Sequence, residues 1–274
     1  MPVEFTERLE RIVPAAALSD VLASFDAPRP VGFRVNTLKA EVAQIRAELQ
    51  ARGFLLQKLS WYEAAFQVPP EQRRSLCASE ACEQARIYIQ DPSSMLAPLV
   101  LAPKPGETVL DLAAAPGGKT LQMAAMMGNQ GRISAVEPVR PRFFRLRNNL
   151  QRHGAGMVKT YRLDGRAVGA KTPGRFDRVL LDAPCSSEAR FTRLDPTSWR
   201  YWSLRKIGEA ARKQRGLLES AFRALKPDGV LVYCTCAFAP EENEMAVNAL
   251  LRKHPEELAV EPLQLPIANV QPGM

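Results

Sequence analysis

Two cysteines stand in segments that could support covalent chemistry. Cys185 lies in the segment Asp-Ala-Pro-Cys-Ser, and Cys236 follows a hydrophobic run in Tyr-Cys-Thr-Cys. A thiolate is a strong nucleophile, and its charge is favoured near the N-terminus of a helix, such as one beginning near Pro240. Upstream, residues 111–120 read as a strand, a glycine turn and a helix. The sequence therefore favours covalent group transfer over simple binding.

The glycine turn is the candidate cofactor site. Residues 117–120, Gly-Gly-Lys-Thr, resemble a phosphate-binding P-loop, but that motif needs a glycine where this chain has Ala113. Small residues still let backbone approach a ligand, with helix N–H groups pointing at it. Glu137 stands about 20 residues later at the end of the second strand, where a carboxylate can accept both hydroxyls of a ribose. An adenosine-type cofactor site and a plain tight turn with an exposed acid are the two interpretations.

Two further acids end successive predicted strands. Asp164 follows the third strand and Asp182 the fourth, and the carboxyl ends of parallel strands meet in one crevice. Asp164 could instead cap a short helix at Gly165. The crevice is favoured more strongly for Asp182, because Cys185 follows it closely.

The other cysteines and the histidines give weaker signals. Cys77, Cys82 and Cys234 read as small buried hydrophobes. With two histidines and no CxxC pair, the sequence predicts no metal site. Five cysteines without the pairing pattern of a small disulfide-bonded domain favour a reducing compartment, with the cytoplasm as the default.

Length and charge limit the class of protein. The 274 residues fit one large domain or a domain with an appendage, and the chain carries a net charge of +8. That charge favours a polyanionic partner such as nucleic acid. No apolar stretch approaches the roughly 20 residues that span a bilayer, and the N-terminus lacks the apolar core of a signal peptide. We therefore expect no membrane association.

Residues 1–100 predict a small α+β subdomain. Apolar residues at Val42, Ile45 and Leu49 have the spacing of one helix face. The predicted elements are a helix within residues 1–30 broken at Pro14, strands at 31–36 and 54–59, and helices at 38–52 and 95–101.

From about residue 105, short apolar strands alternate with helices. This pattern is typical of an α/β fold with a doubly wound, mostly parallel, Rossmann-like sheet, and it assigns residues 101–274 to a second domain. In such a sheet the ligand lies beyond the carboxyl ends of the strands, where the motifs above fall. The predicted strands are residues 108–112, 132–136, 158–163, 178–181 and 230–234, and the predicted helices are residues 119–127, 140–153, 204–225 and 241–253.

Taken together, these motifs resemble the Sun-type RNA cytosine 5-methyltransferases, a family that includes the bacterial small-subunit rRNA methyltransferases B and F. The resemblance covers about residues 30–253. The motifs that carry it are Phe-Arg-Val-Asn-Thr, Gln-Asp-Pro-Ser-Ser-Met, Asp-Leu-Ala-Ala-Ala-Pro-Gly-Gly-Lys-Thr, Asp-Ala-Pro-Cys-Ser, and Tyr-Cys-Thr-Cys followed by Pro-Glu-Glu-Asn-Glu.

The resemblance implies S-adenosylmethionine as cofactor and a role for each matching residue. Cys236 would be the nucleophile, Cys185 would help product release, and Asp182 would lie near both cofactor and base. Glu137 would hold the ribose, and Asp164 would lie near the adenine. The residues implied to wrap the cofactor are Ala113, Ala114, Ala115, Pro116, Gly117, Gly118 and Lys119.

Two departures from the family pattern qualify these expectations. The family usually has cysteine in place of Ala113, a mild change where backbone does the binding. The chain also ends at Met274, before the strands that normally complete the sheet, which predicts a truncated domain whose fifth strand is an exposed edge.

The sequence is compatible with three functions. The first is methylation of RNA, with rRNA favoured over tRNA by analogy, by a monomer whose N-terminal subdomain binds RNA. The second is an RNA-binding protein that has lost catalysis. The third is a DNA cytosine methyltransferase, in which Cys185 would be essential and Cys236 dispensable.

Overall fold

Two β-sheets organise the protein, an antiparallel sheet near the N-terminus and a parallel sheet in the rest of the chain. They are seen in a computed structural model that describes residues 1–263, 265 and 267. The tail that prompted the prediction of a truncated domain, ending at Met274, lies outside the described residues.

The first sheet has the strand order β2-β3-β1-β4. Its strands pair antiparallel, and the apolar side chains of β1 and β3 form one core with α3. The elements of this part are α1 (Val3–Ile12), α2 (Ala15–Ser24), β1 (Val31–Val35), α3 (Val42–Ala51), β2 (Gln57–Lys58), β3 (Ala65–Val68), α4 (Arg73–Cys77), α5 (Glu80–Glu83), β4 (Ile87–Ile89) and α6 (Pro92–Leu101).

The predicted elements of this subdomain are only partly right. The break at Pro14 is confirmed, because Pro14 caps α2. Helix α3 begins later than predicted, since the Asn36 side chain and carbonyl accept from the N–H groups of Leu38 and Lys39 and hold a turn there. The strand predicted at 54–59 shrinks to β2, and β3 and β4 were not predicted.

The second sheet is entirely parallel, with the order β7-β6-β5-β8-β9. The predicted fold class is therefore confirmed. The elements are β5 (Thr108–Asp111), α7 (Gly118–Met126), β6 (Arg132–Val136), α8 (Arg140–Arg152), β7 (Val158–Tyr161), α9 (Val168–Lys171), β8 (Phe176–Asp182), α10 (Leu204–Ala224), β9 (Leu225–Cys234) and α11 (Glu244–Lys253).

Helices cover both faces of this sheet. Val179 and Leu181 of β8 belong to a core cluster with residues of α10 and α11. Leu180, between them, belongs to a second cluster with residues of α6, α7 and α8. Successive side chains of a strand point to opposite faces, so the sheet is doubly wound. The strand order reverses between β5 and β8, which is where such sheets bind ligands.

The two sheets meet behind the glycine turn. Arg34 of β1 is buried, and its guanidinium donates to the side-chain oxygen of Gln90 at 3.0 Å and to the carbonyl of Gly118 at 3.1 Å. Burial lowers the pKa of Arg34 to about 10. The first sheet thereby fixes the start of α7. The boundary near residue 100 stays a prediction, and α6 packs on the second sheet.

Two further expectations need correction, one about the start of α11 and one about Cys77. Helix α11 begins at Glu244, because residues Pro240–Glu242 form a separate 3-10 turn. Cys77 is exposed, since the short helix α4 buries Leu76 instead. Within the described residues, β9 pairs only with β8. None of the described helices combines the length and the apolar character that a membrane span needs.

Candidate active site

The predicted site residues surround one cavity of about 670 Å³ at the carboxyl ends of the parallel strands. We call it the strand-end cavity. Gly117 is the predicted residue that does not line it. The predicted residues that do are Ala113, Ala114, Ala115, Pro116, Gly118, Lys119, Glu137, Asp164, Asp182, Cys185 and Cys236.

The glycine turn presents mainly backbone to the cavity. Gly117 has a φ of 110°, which favours glycine. Its neighbour Gly118 begins α7, and a Cβ there would lie 2.9 Å from the Tyr88 ring. Arg142 and Asn149 of α8 donate to the carbonyls of residues 115 and 116 at 2.9 and 2.8 Å. The turn is therefore held from both sides.

Two predicted acids flank the far side of the cavity. Glu137 is buried, and its Oε1 accepts from the Val139 N–H at 2.8 Å while Oε2 lies 3.6 Å from Nε of Arg142. Asp164 caps the 3-10 turn after β7, accepting from the Arg166 N–H at 2.9 Å. Asp164 thus has the capping role that the sequence left open and also lines the cavity.

Asp111 is a cavity residue to which the sequence analysis gave no role. It is buried, and its Oδ2 accepts from the Thr120 hydroxyl at 2.6 Å. Its Oδ1 has no hydrogen-bond partner among the described residues. Burial raises the pKa of Asp111 to about 6. The signal was present in the sequence, because Asp111 opens the glycine-turn motif at the end of β5.

Lys119 and Asp182 join the glycine turn to the end of β8. Their side chains form an ion pair of 2.6 Å, and Lys119 also donates to the Ser94 hydroxyl at 2.7 Å. The Cys234 thiol lies 3.5 Å from the other oxygen of Asp182. Cys234 is therefore more than a core side chain, because it contacts the carboxylate that faces the cavity.

The two candidate nucleophiles are adjacent. The Sγ atoms of Cys185 and Cys236 lie 3.1 Å apart, and the Cys236 N–H donates to the Cys185 sulfur at 3.3 Å. Cys185 follows β8 and Cys236 follows β9, so two parallel neighbouring strands bring the thiols together. Both are free and half-buried.

The surroundings of the pair favour a thiolate on Cys236. The contact with the Cys185 thiol and the nearby charge of Arg190 lower the pKa of Cys236 to about 6. The hydrogen bond to Cys236 and burial raise the pKa of Cys185. The helix predicted to begin near Pro240 is a 3-10 turn over residues Pro240–Glu242, and α11 begins only at Glu244. That a helix N-terminus favours the Cys236 thiolate stays a prediction.

Two buried glutamates hold the cysteine loops and were not predicted. Glu188 accepts from the backbone N–H groups of Phe238 and Ala239 at 2.7 and 3.0 Å, and from the Trp202 indole at 2.7 Å. Glu242 accepts from the Ser186 N–H at 3.0 Å. Glu242 stands in the Pro-Glu-Glu-Asn-Glu motif, whereas no sequence pattern marks Glu188.

The strand-end cavity suits an adenosine-type cofactor. Its volume lies within the roughly 300–1,000 Å³ of small-molecule sites, and it combines a backbone cradle at the glycine turn with a buried carboxylate at Glu137. The unpartnered Oδ1 of Asp111 offers a further acceptor. Among residues 1–263, 265 and 267, no group of three or more His, Cys, Asp or Glu could hold a metal ion.

Two models of known protein families match the chain. A model described as 16S rRNA methyltransferase RsmB/F matches residues 98–270. The chain belongs to the RsmB/F methyltransferase family. A model for the N-terminal domain of 16S rRNA methyltransferase RsmF matches residues 1–92. The resemblance found in the sequence motifs is thereby confirmed.

Relatives named ribosomal RNA small subunit methyltransferase F align with nearly the whole chain. The protein of Vibrio vulnificus strain YJ016 is 38% identical over 267 residues, covering 96% of this chain and 56% of the relative. That of Cronobacter sakazakii is 40% identical over 271 residues, covering 97% of this chain and 56% of the relative. The chain therefore spans about 56% of the length of these relatives.

Solved structures share the architecture. The crystal structure of PH0851 superposes with a TM-score of 0.86 at 37% identity, covering 93% of this chain and 57% of that chain. NSun6 from Pyrococcus horikoshii, solved with SFG, gives a TM-score of 0.85 at 23% identity, covering 99% of this chain and 91% of that chain. Both carry the fold described above.

Proposed function

We propose that this chain transfers a methyl group from S-adenosylmethionine to C5 of cytosine in ribosomal RNA. The observation that carries the proposal is the pair of thiols 3.1 Å apart at the strand-end cavity, with the pKa of Cys236 at about 6. Membership of an rRNA methyltransferase family and the positive net charge support the substrate class.

The glycine turn and the buried acids are the proposed cofactor site. Backbone of residues 113–116 and 118 would approach the ligand, Glu137 would accept from the ribose hydroxyls, and Asp111 would accept from a further donor. Asp164 would lie near the adenine. When bound, S-adenosylmethionine supplies the electrophilic methyl group.

Cys236 activates the target base. Cytosine C5 is a poor nucleophile, but addition of the Cys236 thiolate to C6 forms a C–S bond and moves an electron pair to C5, which can then take up the methyl group. The Cys185 contact and the charge of Arg190 lower the pKa of Cys236, which raises its thiolate fraction at neutral pH. The Asp182 carboxylate accepts from the exocyclic amine of cytosine and fixes its edge. The base must be unstacked to reach this position.

Cys185 assists release of the product. The C5 proton must leave, and the electron pair of that C–H bond must re-form the double bond as Cys236 departs as thiolate. The hydrogen bond to Cys236 is the first cause of the raised pKa of Cys185. Conversion of Cys236 to a thioether removes that thiolate, so Cys185 then ionises more easily and can accept the proton.

Two other functions stay as alternatives. A DNA cytosine methyltransferase would use Cys185 as nucleophile, but the Thr-Cys motif that carries Cys236 and the match of residues 1–92 to the N-terminal domain of an rRNA methyltransferase favour the RNA enzyme. A catalytically impaired RNA-binding protein would need neither thiol, yet both thiols and the facing acid Asp182 are present.

Transfer of labelled methyl groups tests the proposal. Unmodified rRNA, total tRNA and DNA are incubated in parallel with the protein and labelled S-adenosylmethionine, and the nucleosides are then analysed. We expect 5-methylcytidine in rRNA. Label in tRNA alone would mean that tRNA and not rRNA is the substrate. Label in DNA would support a DNA cytosine methyltransferase. RNA binding without any methyl transfer would support a catalytically impaired RNA-binding protein.

A further inference from the structure

We propose that a second groove beside Cys185 binds the nucleotide that neighbours the target cytosine, an inference that rests on the proposed function. This side groove has a volume of about 390 Å³. The lining residues that carry the argument are Cys185, Ser186, Tyr201, Trp202, Lys206 and Lys213.

The position of the side groove separates it from the site of the target base. Cys185 and Lys213 line both the side groove and the strand-end cavity, whereas Cys236 lines the strand-end cavity alone. A base attacked by Cys236 therefore lies in the strand-end cavity. Because the two cavities share Cys185, an RNA chain whose target cytosine occupies the strand-end cavity can place an adjacent nucleotide in the side groove.

Aromatic side chains give the side groove a stacking surface. Tyr201 is 77% exposed, and the Arg200 guanidinium lies 5.6 Å from its ring centre. Trp202 is held by the hydrogen bond of its indole to Glu188. An exposed ring beside a fixed one is what single-stranded nucleic acid needs, because every base has a face that stacks.

Charge in the side groove suits a phosphate. Lys206 and Lys213 contribute two cations, and Glu209 contributes one carboxylate 3.6 Å from Lys206. The lining therefore carries a net positive charge, and Arg205 at 2.8 Å further offsets Glu209. Cations that track the backbone together with aromatic stacking are the two parts of single-strand binding sites.

The residue after Cys185 is held in place beside the side groove. Ser186 lines the side groove, and its backbone N–H donates to the Glu242 carboxylate at 3.0 Å. The backbone next to Cys185 is therefore fixed on this side of the loop.

The first test compares RNA affinity across matched variants. Fluorescein-labelled oligocytidylate is titrated with the wild type, Tyr201→Ala, Tyr201→Phe and Lys206→Ala, and with Lys159→Ala on β7 at the other edge of the sheet as the control for charge. We expect Tyr201→Ala to weaken binding roughly tenfold, Lys206→Ala to weaken it less, and Tyr201→Phe and Lys159→Ala to match the wild type. S-adenosylmethionine affinity, which reports folding, stays unchanged.

The second test places the nucleotide. Once the methylated cytosine is mapped, each neighbouring base is replaced in turn by an abasic site, and kcat/KM is measured for the wild type and Tyr201→Ala. At one neighbouring position, the abasic substitution should lower kcat/KM of the wild type about as much as the Tyr201→Ala substitution does. The same abasic substitution should lower kcat/KM of Tyr201→Ala little further, because both changes remove the same stacking contact.

The outcomes separate the two proposals. If the wild type methylates RNA while Tyr201→Ala keeps its RNA affinity and KM, only the proposal for the side groove is overturned. The same holds if the losses in kcat/KM from Tyr201→Ala and from the abasic substitution are additive at every neighbouring position. A wild type that neither binds oligocytidylate nor methylates any RNA overturns the proposed function, and the side groove with it.

Discussion

The strand-end cavity has two ends that are built differently. At the glycine turn its wall is made of small residues, 113–116 and 118, which α8 and Arg34 hold in place. At the cysteine end its wall is side chains, and the thiols come from loops that Glu188 and Glu242 fix. The glycine turn depends on its backbone conformation, since Gly117 has a φ of 110° and a Cβ on Gly118 would lie 2.9 Å from the Tyr88 ring, whereas the cysteine end depends on single sulfur atoms.

Replacing the nucleophile should have the largest effect. We expect Cys236→Ser to lower methyl transfer by about a thousandfold or more, because a serine hydroxyl is scarcely ionised where a thiolate of pKa about 6 stood. S-adenosylmethionine affinity should stay near the wild type, since the cofactor end is intact. Cys77→Ser, at an exposed cysteine, is the matched control. Turnover retained by Cys236→Ser would remove the nucleophile assignment.

The neighbouring thiol should have a smaller and different effect. We expect Cys185→Ser to lower turnover about a hundredfold and to accumulate a covalent RNA–protein species, because addition at C6 proceeds while release stalls. Denaturing gel electrophoresis with reductant would show it as a slowly migrating band. Absence of that band, with turnover lost, would mean that Cys185 acts before the addition step.

At the cofactor end, an acid should affect binding and spare chemistry. We expect Glu137→Gln to weaken S-adenosylmethionine binding about tenfold or more, since the buried carboxylate that we propose accepts from the ribose hydroxyls is replaced by a neutral amide of similar size. Calorimetric titration measures the affinity, and kcat at saturating cofactor should be close to normal. A fall in kcat without a change in affinity would contradict the division between the two ends.

The buried carboxylate of Asp111 should lower the free energy of unfolding at neutral and higher pH. Burial raises its pKa to about 6, so between about pH 4 and pH 6 the folded state binds more protons than the unfolded state and stability falls as pH rises. A shift of roughly two pKa units corresponds to about 3 kcal/mol. We expect Asp111→Asn to raise the unfolding free energy at pH 8 by up to that amount and to leave it nearly unchanged at pH 4, while cofactor affinity falls a few-fold. Denaturant unfolding at the two pH values measures this, and equal effects at both would contradict it.

The smallest effect should be a shift in the pH profile. Methyl transfer should rise with pH through about 6 as the Cys236 thiolate forms, and then level off. Arg190→Ala removes one cation that favours the thiolate, so the midpoint should move upward by less than about one unit. The matched control is Arg175→Ala, an exposed arginine near the start of β8. A midpoint that moves downward would show that Arg190 does not stabilise the thiolate.

The difference between the two ends also explains what could be predicted from the sequence. The parallel strands were found because their apolar runs are bounded by turns, and the glycine turn was found because its small residues follow one of these strands. In the first sheet, β3 and β4 span only four and three residues and give too little periodicity to detect. Those strands are defined by pairing with β1, which no local pattern reports.

The contacts of the cysteine end lay outside the reach of sequence patterns. Cys185 and Cys236 stand 51 positions apart, and their contact depends on the register between β8 and β9. Glu188 lies in a loop without periodicity, yet it holds the backbone after Cys236. The resemblance assigned roles to both cysteines, whereas the hydrogen bonds that shift their pKa values came only from the structure.

Mapping a trapped adduct tests the central claim most directly. Ribosomal RNA transcribed with 5-fluorocytidine carries fluorine where the proton must leave, so addition and methyl transfer proceed but release stops. After incubation with the protein and S-adenosylmethionine, the RNA is digested and the cross-linked peptide is sequenced by mass spectrometry. We expect the nucleotide on Cys236. A nucleotide on Cys185 would contradict the account, as would methylation of ordinary rRNA with no adduct on either cysteine.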